Sequence, residues 1–339
     1  MVKIGIISFA HMHAYSYAHC IKTLPNAELV GVFDENARRG RKMAKQFGTR
    51  YFQDLKYLLK QDIQAVVICS ENAKHRSFVE AAAKAGKHVL CEKPIATTMA
   101  DAYTIIEVCQ KYDVQCQTAF PVRYASAARS VKAKLDANAI GDVLAINATN
   151  RGKMPPGWFT EKKLSGGGAV IDHTVHNVDL IRWFTGAEPV SVYAEIDTRL
   201  HKGLKVDDVG ILTIEFSDGF FVTQDASWSR PKSYPTWGDV TMEIIGTEGV
   251  ISLDVFAQVH QVYNDTTMRI EWRNWGDNID MGLVQDFVDA IEHNRPVSIT
   301  AEDGVKALEV ALAAYRSARM HKAVPLPIAE SVRIKPNST

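Results

Sequence analysis

The sequence predicts an α/β protein in two parts. An N-terminal doubly wound parallel sheet is followed by an α+β part carrying a large, mostly antiparallel open sheet. Three observations predict this. Short apolar runs alternate with helix-length stretches through the first 120 or so residues. Beyond them the pattern becomes β-rich, with hairpin turns at Ser217-Asp218-Gly219 and Thr247-Glu248-Gly249. The length, 339 residues, exceeds one small core, so two domains are expected, at 1–121 and 122–339.

In chain order, residues 4–9 read as an apolar strand and 11–23 as a helix ending before Pro25. Residues 27–33 form a second strand that closes on Asp34. Asn36 suits the N-cap of a helix running to Phe47, and Gly48 stops it. Further strands are expected at 50–52, 65–69, 89–91 and 114–119, with helices at 54–60, 76–85 and 99–111 between them. Right-handed crossovers leave few ways to order such strands. In the second part, helices are expected at 123–138, 169–184, 282–292 and 304–321. Strands are expected at 143–149, 190–198, 209–216, 220–227, 239–245 and 250–253, with a frayed end at 331–339.

Composition excludes several classes. Apolar residues make up 46% and charged residues 23%, ordinary for a soluble globular protein. Zero formal net charge argues against a nucleic-acid or anionic-membrane partner. No apolar run is long enough to span a bilayer, and the short run at 4–7 is no signal peptide. Five cysteines, odd in number and never spaced Cys-x-x-Cys, point to buried free thiols in a reducing cytoplasm.

Three stretches carry chemistry. In Gly86-Lys87-His88-Val89-Leu90-Cys91-Glu92-Lys93-Pro94, proline ends a buried strand and fixes Lys93 at its C-terminal lip. In an open α/β sheet that lip is where ligands bind. The turn after the first strand is Ser8-Phe9-Ala10-His11-Met12-His13, where a dinucleotide fold wants G-x-G-x-x-G and this chain has no glycine. Ser8 and Ala10 are small enough for a close approach to a pyrophosphate, and Asp34 stands where an acid would bond the ribose of NAD. The third stretch runs from Gly166-Gly167-Gly168 through Asp172, His173, His176 and Asp179. Asp172 and His176 share a helix face, so the carboxylate is expected to orient the imidazole as a general base. His11 and His13 can be read as half of a metal site, and His173 could join Asp172 and His176, but no closed ligand set is visible and no metal is expected.

With these residues in hand, the whole chain resembles the glucose–fructose oxidoreductase / inositol dehydrogenase (Gfo/Idh/MocA-like) family. The segment 85–94, the Gly167-Gly168…Asp172…His176…Asp179 pattern and the Ser70-Glu71-Asn72…His75 loop carry the resemblance jointly. It implies a Rossmann domain, a C-terminal domain with an open sheet, and NAD(P)-dependent hydride transfer to or from a sugar or cyclic polyol. It implies Lys93, Asp172 and His176 as the catalytic set. Cofactor contacts are expected from Ser8, Phe9, Ala10, His11, Met12, His13, Asp34, Ser70, Asn72, His75, Glu92 and Lys93. NAD is expected to bind better than NADP. Tyr124, Arg151, Trp158 and His173 are candidate substrate contacts, and Ser227-Trp228-Ser229-Arg230 is a second stretch that could supply an aromatic face to a sugar ring. Two other readings use the same fold: a non-catalytic nucleotide or sugar sensor, and NAD-assisted glycoside cleavage. Apolar residues on both faces of strands 209–216 and 220–227 predict a sheet-to-sheet homodimer, or a tetramer of such dimers.

Overall fold

The computed structural model describes residues 1–274 and 276–328. The strand-and-helix alternation becomes β1 (Val2–Ile7), α1 (His13–Thr23), β2 (Ala27–Phe33), α2 (Ala37–Gln46), β3 (Arg50–Phe52) and α3 (Leu55–Leu59). It continues with β4 (Ala65–Ile68), α4 (His75–Lys84), β5 (His88–Cys91), α5 (Met99–Lys111) and β6 (Cys116–Thr118). The six strands are all parallel, in the order β3-β2-β1-β4-β5-β6. The order reverses at β1, so a crevice opens above its C-terminal end, between the turns after β1 and β4. Strand β4, Ala65-Val66-Val67-Ile68, is buried along its whole length, as a central parallel strand covered on both faces must be.

The second part contains α6 (Ser126–Asp136), β7 (Val143–Thr149), α7 (Lys162–Ser165), α8 (Ala169–Thr185), β8 (Pro189–Asp197), β9 (Val209–Phe216) and β10 (Phe221–Asp225). Next come β11 (Thr241–Gly246), β12 (Val250–Asp254), β13 (Val259–Asn264), β14 (Arg269–Asn274), α9 (Ile279–Glu292), α10 (Ala301–Met320) and β15 (Val324–Pro325). Seven strands form one sheet, β12-β11-β7-β10-β9-β8-β15, in which only the β7–β10 pair is parallel. Strands β13 and β14 make a separate hairpin. Helices α8 and α10 cover one face of the large sheet. On the other face Ile211 and Phe221 are about half exposed, at 50% and 51%, and Val250 reaches 54%.

The expected helix at 123–138 is broken. Pro121–Tyr124 is a tight turn, Ala125 is extended with ψ 133°, and the helix starts only at Ser126. A buried ion pair holds the turn: the Arg123 guanidinium donates to Asp179 on α8 at 2.8 Å and 2.5 Å. The hairpin at 259–274, the short α7 and β15 were not expected from sequence. The expected frayed end at 331–339 lies outside the described residues.

The two sheets are tied together closely. Helix α9 returns to pack on α1, with Asn26 bonded to Asp289 at 3.1 Å. The start of α8 is fixed by Asp207, whose carboxylate accepts from the amides of Gly168 and Val170 at 2.8 Å each. Gly168 is there because nothing larger fits: a Cβ would lie 1.8 Å from the Asp207 carbonyl oxygen. Gly168→Ala is therefore expected to destabilise the protein by about 1–3 kcal/mol through forced backbone movement. A lower urea midpoint would show it, and an unchanged midpoint would contradict it.

Candidate active site

The turn after β1 behaves as a dinucleotide turn without its glycines. Ser8 adopts φ 72°, the left-handed conformation usually left to glycine. The Asp34 carboxylate stabilises it from the end of β2, accepting from the Phe9 amide at 2.8 Å and from Arg39 Nε at 2.7 Å. Asp34 is thus buried and already engaged, while the Arg39 guanidinium lies outside it, partly exposed. The Ala10 amide is held by the Ser8 hydroxyl at 3.1 Å, and the His13 amide by His11 Nδ1 at 3.2 Å. Trp158 reaches over from the second part and donates from its indole N–H to the Ala10 carbonyl at 3.1 Å.

Beside this turn lies a cavity of about 240 Å³. Its walls include His11 and His13 from the turn, Lys93, and Asp172, His173 and His176 from α8. Lys93 Nζ donates to Asp172 Oδ1 at 2.7 Å and lies 3.3 Å from the Asp172 carbonyl. Asp172 Oδ2 accepts from the Trp228 indole at 3.2 Å and lies 3.3 Å from His173 Nε2. Burial pushes the Asp172 carboxyl up, but Lys93 and His173 outweigh it and hold it below the ordinary carboxylate range.

The expected Asp172–His176 pair does not form. The short carboxylate turns to the Lys93 ammonium and the Trp228 N–H instead, and His176 Nδ1 is buried with no hydrogen-bond partner among the described residues. Burial drives His176 well below its ordinary pKa, so it stands as a neutral imidazole. Glu92 is completely buried; His13 Nδ1 lies 3.0 Å from its Oε1, and its Oε2 accepts the Lys93 amide at 3.1 Å.

Family models match both parts of the chain. An "Oxidoreductase family, NAD-binding Rossmann fold" model covers residues 2–120, and a "GFO/IDH/MocA C-terminal domain" model covers 128–252. The chain belongs to the Gfo/Idh/MocA oxidoreductase family. It is 27% identical to a myo-inositol 2-dehydrogenase of Thermotoga maritima over 96% of this chain and 98% of that protein. Among solved structures, GenD2 from gentamicin A biosynthesis in complex with NAD is 28% identical, with TM-score 0.87, over 96% of both chains. The scyllo-inositol dehydrogenase of Lactobacillus casei, solved with NAD(H) and scyllo-inositol, is 27% identical, with TM-score 0.82, over 96% of this chain and 99% of that one.

The residues present fit the family's cofactor. Ser8 supplies the glycine backbone conformation. The Ala10 and His13 amides at the start of α1 are held only by side chains, which can swing aside for a pyrophosphate. Ser70 and Asn72, after β4, are buried beside the crevice, and Asn72 anchors to the Ser165 carbonyl at 2.9 Å. His75 plays a structural part: its ring nitrogens face the carbonyls of Pro94 and Ser70 at 3.0 Å and 3.3 Å.

The substrate candidates divide. Arg151 and His173 line the cavity, Arg151 paired with Asp239. Tyr124 does not line it, because its hydroxyl is drawn to Asp286 on α9 at 2.7 Å. Trp158 lies on the cofactor turn and stacks at 3.9 Å on Phe159, which does line the cavity. Trp228 offers no aromatic face to a sugar, being 1% exposed and spent on Asp172. Sequence reasoning missed Asp239, Trp237 and Asp280 in the cavity wall; no motif marks them, since the first two arrive from the loop before β11 and the third from α9.

Four cavity-side or buried histidines give this site a pH signature. Burial lowers the pKa of His11 to about 3 and also lowers those of His75, His173 and His176. Each stays neutral in the native state while its unfolded counterpart takes a proton below about pH 6.5. Stability is therefore complete above that pH and is lost as pH falls toward the folded values, by about 1.4 kcal/mol per pH unit for His11 alone. His13, raised by Glu92 against its burial, works in the opposite direction and offsets one of the four. The urea midpoint is expected to be clearly lower at pH 5.5 than at pH 7.5; an equal or higher midpoint at pH 5.5 would contradict this assignment.

Proposed function

We propose that this protein oxidises a secondary hydroxyl of a cyclic polyol or sugar, or reduces the corresponding ketone, with NAD as hydride carrier. Residues 1–121 serve as the cofactor-holding domain and 122–339 as the substrate and assembly domain. The observation that carries the reading is the Lys93 ammonium, buried beside a polyol-sized cavity and held there by Asp172. A sensor has no use for a charge pair desolvated at that cost. NAD, when bound, supplies the acceptor for the hydride. Lys93 donates a hydrogen bond to the reacting oxygen and stabilises the charge that develops on it. Asp172 keeps Lys93 in place, itself fixed by Trp228. His176, a neutral imidazole in the cavity wall, takes the hydroxyl proton. The uncharged polar substrate class follows the inositol dehydrogenases that the chain resembles. The five cysteines, all free and buried, suit a reducing cytoplasm. No helix among the described residues is long and apolar enough to cross a membrane.

The test is NADH absorbance from purified protein with a panel of inositols and monosaccharides. Lys93→Ala is expected to lower kcat by about 10²–10³-fold, with a much smaller change in NAD affinity. An unchanged kcat would remove Lys93 from the mechanism.

Tyr193, Ile211, Phe221, Ile245 and Val250 share the uncovered face of the large sheet, and all are exposed. We expect two copies to bury this face against each other, as a dimer or as half of a tetramer. Phe221→Glu should then shift sedimentation toward the monomer, and a monomeric wild type at micromolar concentration would end the proposal.

A further inference from the structure

His11 and His13 are half of a ligand set in the sequence, and the fold brings up the other half. One ring nitrogen from each and a Glu92 carboxylate oxygen lie within 4.8 Å of one another. His13 Nδ1 is 3.0 Å and His11 Nδ1 3.9 Å from Glu92 Oε1, and the ring centroids are 4.5 Å apart. Both imidazoles line the cavity that also holds Lys93 and His176. We propose that His11, His13 and Glu92 bind one first-row divalent transition-metal ion, Zn²⁺ by ligand type, with a vacant coordination position open to the cavity for an oxygen ligand.

The plain alternative is a hydrogen bond between His13 and Glu92, and it accounts for that pair alone. His11 Nδ1 accepts the His13 amide at 3.2 Å, so it carries a lone pair and no proton. That lone pair sits 3.9 Å from an ionised carboxylate oxygen inside a buried pocket. A cation held between the two atoms would be favoured there, in place of the proton that His13 otherwise shares with Glu92. Metal–donor distances of about 2.0–2.2 Å place tetrahedral donors roughly 3.4 Å apart, and the distances of 3.0 Å and 3.9 Å to Glu92 bracket that value. Two histidines and one carboxylate with an open position form a recurrent catalytic zinc set.

The surroundings suit it. Glu92 Oε2 accepts the Lys93 amide, so the carboxylate has an outer partner. The ion takes the place of the His13 amide contact on His11. The imidazole at residue 13 stands where a dinucleotide turn has its third glycine for close helix–strand packing.

The inference rests on the cavity geometry and stands apart from the dehydrogenase reading. It is tested on full-length protein stripped with a chelator, by calorimetric titration with Zn²⁺, Mn²⁺ and Mg²⁺ and by the visible absorption of a Co²⁺ form. His13→Gly restores the residue the turn is built for, so the variant is expected to fold. The expected result is one Zn²⁺ per chain with micromolar affinity or tighter, and no Mg²⁺. Affinity should fall at least tenfold in His13→Gly and in Glu92→Gln, and the Co²⁺ bands of the wild type should be lost. Asp289, Glu292 and His293 are a second cluster with ligand spacing, on the surface, so His293→Ala is titrated alongside. No Zn²⁺ binding at micromolar concentration, binding unchanged in His13→Gly, or binding lost only in His293→Ala would each overturn the proposal. The NAD-induced thermal shift of the same samples reports on the cofactor separately, so the two readings fail independently.

Discussion

The rest of the molecule depends on one buried ion pair, Lys93 with Asp172. The lysine stands at the lip of a parallel strand, the aspartate in the first turn of a helix that covers the other sheet. Bringing both out of water is expensive, and the fold meets that cost with several fixed donors and acceptors. Trp228 donates to the second Asp172 oxygen, and the Asp172 carbonyl offers Lys93 a second acceptor. Asp207 holds the helix start through two amides, and Gly168 lets the chain approach it closely. Removing one partner would leave a bare charge in the interior, at a cost of about 3–5 kcal/mol. The site is therefore placed by the same contacts that dock the two sheets.

Much of this was legible locally. Strand Ala27–Phe33 and helix Met99–Lys111 match the sequence reading to the residue because their ends carry local signals. Asn36 caps its helix as expected, accepting the Arg39 amide at 3.0 Å. The helix expected from 123 was not legible, because the pull on Arg123 comes from Asp179, 56 residues away. The hairpin at 259–274 was not legible for a different reason: residues 259–271 are largely exposed, and the sequence carries no clear apolar alternation.

In the site, membership was readable and pairing was not. Lys93, Asp172 and His176 are marked by motif and do share a cavity. Helical spacing suggested that Asp172 serves His176, but spacing sets only which face a side chain leaves from. Which partner a two-carbon carboxylate meets is decided by the charges the tertiary fold brings to it. Asp34 shows the same limit: strand-end position marks it for a ribose but does not reveal that its carboxylate also buttresses the turn through the Phe9 amide. That buttress, with the left-handed Ser8, is how a glycine-free sequence keeps the turn's shape.

The return of α9 onto α1 bears on how the protein is made. The bond between Asn26 and Asp289 spans 263 residues. On a ribosome the N-terminal sheet emerges first and packs against α1, yet the face of α1 that α9 covers stays open until nearly the whole polypeptide has been synthesised. At about 5–20 residues per second, that is roughly 13–50 seconds of exposure for each nascent chain. An unfinished chain therefore carries that face open to solvent, and recombinant yield should respond to growth temperature more than the stability of the finished fold would suggest.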